Sequence, residues 1–250
     1  NAVANAGSSN SIALCSGGAS VNLLTALGST PSPTGTWTGP APSTTTFNGV
    51  FIPGTTTAGM YTYTVLGTAP CPNATASVTV SVNQPPSAGT SAVITVCSNT
   101  PAFALIDRLG GTPALNGTWT TPPPVGPFSG VFTPGVSAPG IYTYTVAGTA
   151  PCGNAISTVN VTVNAEAHAG SDASQSVCST GAVLNMFPLL GGTAQTGGTW
   201  TVQSTGAPHA ATFSPTTDVT DVFAYTVQGL LGCANDVAFV FITLNQAPKA

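Results

Sequence analysis

Reactive side chains are few in this chain, and its cysteines are the most ordered of them. Cys15, Cys97 and Cys178 each stand 22 residues before a tryptophan: Trp37, Trp119 and Trp200. Cys71, Cys152 and Cys233 each stand 8 residues after a tyrosine: Tyr63, Tyr144 and Tyr225. Two cysteines at constant phases, 56, 55 and 55 residues apart, point to disulfide chemistry. No CxxC and no His pair supplies the close ligand spacing of a zinc site. The spacing predicts the bonds Cys15–Cys71, Cys97–Cys152 and Cys178–Cys233. Each closes a loop of about 55 residues, contributing about 3–4 kcal/mol in the chain-entropy account. The second cysteine follows a turn and opens the last strand, so the bond is expected to staple the edge or end of its domain. Such bonds imply an oxidising, extracellular setting.

The remaining titratable groups are sparse. Catalysis needs positioned acids, bases or nucleophiles, and residues 1–82 carry no charged side chain. His168 falls in a linker and His209 in an expected loop, neither with a counterpart in the other copies. No enzyme activity and no cofactor are expected. Glu166, His168 and Asp172 cluster at one border, where carboxylates could bind calcium. The preceding border, Asn83–Ser91, has none, so a general calcium device is not expected. Glu166 and Asp172 remain the metal candidates. The one lysine, Lys249, cannot supply an isopeptide cross-link to every copy. N-glycosylation triplets occur at Asn73, Asn116 and Asn160.

Charged residues make up 3% of the chain, against about a quarter in ordinary soluble domains. A nucleic-acid groove is excluded, because phosphate neutralisation needs clustered Lys and Arg. A polybasic membrane anchor fails for the same reason. No run of about 18 apolar residues exists to insert in a membrane. Apolar residues alternate instead with Thr, Ser, Asn and Gly, the pattern of half-buried strands.

What positions the cysteines is a repeat. Residues 61–71 (YTYTVLGTAPC) and 142–152 (YTYTVAGTAPC) match at ten of eleven letters. Each Trp lies in Gly-Thr-Trp-Thr, and Asn1, Asn83, Asn164 and Asn245 share one register. Three copies of about 81 residues follow: residues 1–82, 83–163 and 164–244, with 245–250 resembling the start of a further copy. The piece is therefore read as an excerpt of a longer array.

Within copy 2, strands are expected at Ser91–Val96, Gly117–Thr121, Phe128–Phe132, Ile141–Val146 and Ser157–Val163, with a further apolar segment at Ala102–Leu109. Gly and Pro clusters separate them. Six or seven short strands with a buried aromatic and a Cys pair predict an all-β chain. The expected fold is three tandem immunoglobulin-like β-sandwiches in an extended rod, with a small barrel as the structural rival. Trp37, Trp119, Trp200, Tyr63, Tyr144 and Tyr225 are assigned to the cores. In the last strand of copy 3, Phe239 and Phe241 replace the outward Ser, Thr and Asn residues of the other copies. They mark a contact patch, or a face covered by a neighbour.

The motif set includes Leu189-Leu190-Gly191-Gly192-Thr193, Gly197-Gly198-Thr199-Trp200-Thr201, their copy 2 counterparts and YTYTVAGTAPC. It resembles the tandem Ig-like or PKD-like repeats of large Bacteroidetes surface proteins, over essentially the whole chain. That resemblance implies a bacterial cell-surface protein exported by type IX secretion: an adhesin filament, in some members moved by the gliding machinery. Such repeats often carry Asp where copy 1 has Ser, Thr or Asn, which weakens any carry-over of cation binding. The expected role is a non-catalytic stalk whose partners are neighbouring repeats, with other surface proteins or glycans beyond them. The alternatives are a laterally assembling coat and a carbohydrate-binding array with exposed aromatics in every copy.

Overall fold

The computed structural model describes residues 3–40 and 46–248; Asn1 and Lys249 lie outside the described residues. Repeat 1 contains β1 (Asn10–Cys15), β2 (Val21–Asn22), β3 (Thr36–Thr38), β4 (Thr46–Phe47), β5 (Val50–Phe51), β6 (Gly59–Val65) and β7 (Ala74–Asn83). Repeat 2 contains β8 (Ala92–Cys97), β9 (Phe103–Ala104), β10 (Thr118–Thr120), β11 (Pro127–Phe128), β12 (Val131–Phe132), β13 (Gly140–Val146) and β14 (Ala155–Asn164). Repeat 3 contains β15 (Ala173–Cys178), β16 (Leu184–Asn185), β17 (Thr199–Val202), β18 (Pro208–His209), β19 (Thr212–Phe213), β20 (Asp221–Val227) and β21 (Asp236–Asn245). The chain is thus three all-β sandwich repeats of similar size.

One sheet of repeat 1 runs β1-β7-β6-β3-β4, and β2 pairs with β5 in a second, two-stranded sheet. The same orders recur in the other repeats. Alternation explains the long strands: along β6, Tyr61, Tyr63 and Val65 are buried while Thr62 and Thr64 are half-buried on the other face. The first strand of each repeat pairs parallel to the last. Cys15 aligns with Asn83, Cys97 with Asn164 and Cys178 with Asn245.

One segment of copy 2 takes a form the sequence left open, and another differs from the expectation. The apolar segment Ala102–Leu109 holds the two-residue strand Phe103–Ala104 and a single 3₁₀ turn, Leu105–Arg108, and buries Leu105 and Leu109. Phe128–Phe132 is two strands in different sheets: β11 pairs with β10, and β12 with β9. Gly130 makes the switch at φ +87°, and a Cβ there would meet Trp119 Cδ1 at 2.9 Å.

Each hydrophobic cluster draws its members from a single repeat. Trp37, Trp119 and Trp200 are buried, each tilted against Tyr63, Tyr144 or Tyr225 at ring-centroid distances of 4.9, 4.8 and 5.0 Å. The tyrosine hydroxyls close the loop before the Trp strand. Tyr225 Oη accepts from Gly198 N at 2.8 Å and donates to Gln195 O at 2.7 Å. Tyr63 does the same with Gly35 N and Ser32 O. The glycine of Gly-Thr-Trp-Thr is required by this approach: a Cβ on Gly198 would lie 2.6 Å from Tyr225 Cζ and from Thr226 O.

Candidate functional site: the stapled junctions between repeats

The disulfides do not form within repeats. Cys15 is bonded to Cys152, and Cys97 to Cys233, with Cα separations of 5.1 and 4.8 Å. Cys71 and Cys178 are free thiols. The expected pairs Cys15–Cys71, Cys97–Cys152 and Cys178–Cys233 are therefore corrected.

The reason is the direction of the first strand. Because β1 runs parallel to β7, Cys15 lies beside Asn83, at the end of β7 where the chain leaves the repeat. Cys71 precedes Ala74, at the opposite end of the same ten-residue strand. At about 3.3 Å per residue, β7 holds the two cysteines roughly 30 Å apart, far beyond the about 7 Å between Cα atoms that a disulfide can bridge. Each repeat thus presents one cysteine at its exit end and one at its entry end. The exit cysteine of one repeat meets the entry cysteine of the next.

Hydrogen bonds set this meeting. At the exit, Ser16 N donates to Asn83 O at 2.9 Å and Ser98 N to Asn164 O at 2.8 Å. At the entry, Cys152 N donates to Thr149 O and Cys233 N to Leu230 O. Asn154 Oδ1 and Asn235 Oδ1 brace the same loops by accepting from Gly148 N and Gly229 N. The border asparagines then cross the junction: Asn83 Nδ2 donates to Ala150 O and Asn164 Nδ2 to Leu231 O, each at 2.7 Å. In the second junction Gly232 packs closely enough on the preceding repeat that a Cβ would meet Thr95 O at 2.9 Å. Cys97 and Cys152 are buried. Sequence reasoning missed the asparagines as junction groups, although their shared register was the available signal.

The other singled-out residues have local partners. Glu166 lies at the second border, where its Oε2 accepts from Asn99 Nδ2 at 2.7 Å and its Oε1 is 3.5 Å from His168 Nε2. Asp172 Oδ1 accepts from Phe239 N at 2.8 Å. Ser9 and Ser91 hydroxyls play that part toward Ser77 N and Thr158 N. Among the described residues, no three His, Cys, Asp or Glu side chains gather as a metal cluster.

His209 is on strand β18, not in a loop. It stands opposite Trp200 as Phe47 and Phe128 stand opposite Trp37 and Trp119. Its ring packs on Phe223 at 4.6 Å and its Nε2 is 3.5 Å from Asp218 Oδ1. Nearby, the Ser204 hydroxyl and the Val222 N–H hold the Asp221 carboxyl below the usual carboxylate range.

The outer face of β21 carries Phe239, half-buried, and Phe241, exposed, with ring centroids 6.4 Å apart. Phe241 pairs across strands with Val222, and Phe239 with Ala224. The corresponding face in repeat 1 carries Ser77, Thr79 and Ser81.

No protein-family model and no curated protein matches this chain. Among solved structures it is similar to the titin I-band fragment I67–I69, at 14% identity and TM-score 0.43, over 94% of this chain and 95% of that one. It is also similar to extracellular domains 3–5 of Drosophila OTK, at 11% identity and TM-score 0.38, over 97% of each chain. A third is Sidekick-1 immunoglobulin domains 1–4, at 15% identity and TM-score 0.34, over 96% of this chain and 76% of that one. No residue role carries over to this chain at such identities and TM-scores.

Proposed function

We propose that this chain is a non-catalytic stalk segment of a large extracellular adhesin filament on a bacterial surface, serving surface attachment and gliding motility. The observation that carries the reading is the stapled junction. Repeats with separate cores are joined by a backbone link, a disulfide and an asparagine hydrogen bond. A spacer that transmits force along its length needs such junctions, because a repeat array contacts only its nearest neighbours. Disulfides also require an oxidising compartment to persist. The gliding role rests on the likeness of the Gly-Thr-Trp-Thr and YTYTVAGTAPC motifs to those of Bacteroidetes surface repeats. A fluorescent antibody fragment raised against one repeat tests it on live cells. Foci that travel along the cell support an adhesin coupled to a motor. An even, fixed coat contradicts that role.

A second reading, a laterally assembling coat, is favoured by one observation: the apolar strip of Phe239, Phe241 and Val222 on the outer face of repeat 3. The carbohydrate-binding alternative has less support, because the three tryptophans are buried and present no open row for stacking.

A further inference from the structure

Cys71 and Cys178 stand at the two ends of a pattern that the inner junctions complete. Cys178 is an exit cysteine, in the position of Cys15 and Cys97. Its surroundings are already in the bonded arrangement: Ser179 N donates to Asn245 O at 2.9 Å, and Gly181 N donates to Cys178 O at 2.8 Å. The matching bonds at Cys15 run from Ser16 N to Asn83 O and from Gly18 N to Cys15 O, at 2.9 and 2.8 Å. Asn245 occupies the register of Asn83 and Asn164, whose side chains bind the next repeat. Cys71 is an entry cysteine, and its loop has the same form as the two stapled ones. Cys71 N donates to Thr68 O at 2.9 Å, and Gly67 N donates to Asn73 Oδ1 at 3.0 Å.

We propose that both ends of this segment are covalent docking surfaces for another repeat of the same kind. Cys178 bonds the entry cysteine of the repeat that follows, and Cys71 bonds the exit cysteine of the repeat that precedes. The established junctions supply the complement: each surface is the free half of an interface that is complete twice within the chain. The surfaces are directional, since an exit end carries the Asn donor and an entry end the carbonyl acceptor. The inference rests on the stapled-stalk reading and extends it from two junctions to an unbroken series.

The bond forms by thiol–disulfide exchange with a small-molecule dialkyl disulfide. The Cys178 thiolate attacks one sulfur of the reagent and expels a thiolate. The entry-cysteine thiolate then attacks the Cys178 sulfur of the mixed disulfide and expels the second. Two protein thiols are oxidised, and their two hydrogens and two electrons end on the reduced reagent. Bonds from Thr180 hold the Cys178 thiol below its ordinary range, which favours the attacking form.

The test is a doubled chain, residues 1–244 followed directly by residues 1–250, oxidised in glutathione buffer and mapped as peptides without reduction. The expected result joins Cys178 of the first half to Cys71 of the second, leaving only the outermost Cys71 and Cys178 free. The inner bonds Cys15–Cys152 and Cys97–Cys233 report that each half has folded. If those inner bonds form while the central Cys178 and Cys71 stay free, take glutathione or bond elsewhere, the inference is overturned and the stalk reading stands. If the inner bonds are absent, both fall.

Discussion

Cys97 is bonded to Cys233 across 136 residues of sequence, with their Cα atoms 4.8 Å apart. The bond spans a boundary between two hydrophobic cores and closes no loop inside either one. Each repeat must therefore stand on its own packing, while the disulfides govern how repeats are held to one another.

Independent cores make the effect of a core mutation local. Trp119→Ala removes a buried indole that packs on Tyr144 and is expected to cost repeat 2 about 3–5 kcal/mol. Denaturation followed by hydrogen exchange should show early opening of repeat 2, with repeats 1 and 3 protected as in the parent. Equal loss of protection in all three would mean the repeats fold as one unit.

Tyr225→Phe keeps the ring and deletes the hydroxyl that joins Gly198 N to Gln195 O. Two backbone groups lose their partner, at a cost of about 1–3 kcal/mol. Urea titration of repeat 3 reads this directly. A variant as stable as the parent would show that water satisfies the Gly198 loop.

Thr180→Ala tests the reactivity of the exit thiol. The largest cause of the lowered Cys178 pKa is the Thr180 hydroxyl, followed by the Thr180 backbone N–H. A lowered pKa means the thiolate is present at lower pH, so Cys178 should alkylate with a midpoint below that of an ordinary thiol. The substitution should move that midpoint upward. An unchanged pH profile of iodoacetamide labelling would remove Thr180 from the account.

Phe241→Asp places a charge in the apolar strip of β21. If repeat 3 associates side by side through Phe239 and Phe241, the variant should sediment as a monomer at concentrations where the parent self-associates. Identical sedimentation would leave the coat reading without support.

Much of this fold was legible in the residues. The recurrence of Gly-Thr-Trp-Thr marks the repeats, and the alternation of Tyr61, Tyr63 and Val65 with threonines marks a half-buried strand. The cysteine partners were not legible, for a physical reason. In a periodic chain, a cysteine at one phase can meet the other phase in its own copy or in the next. Choosing between them requires knowing that β1 runs parallel to β7, which puts Cys15 beside Asn83 and far from Cys71. Parallel or antiparallel pairing leaves no mark on the pattern of a single strand. His209 was misplaced for a different reason: it replaces Phe47 and Phe128 by a polar residue, which disguises a two-residue strand as loop.

Peptide mapping of the oxidised 250-residue chain, with free thiols blocked before digestion, tests the stapled junctions most directly. Pepsin suits it, because Arg108 and Lys249 are the only basic cleavage sites. The account predicts one linked pair carrying Cys15 with Cys152, another carrying Cys97 with Cys233, and blocked Cys71 and Cys178. A linked pair carrying Cys97 with Cys152 would place the disulfide inside one repeat and contradict it.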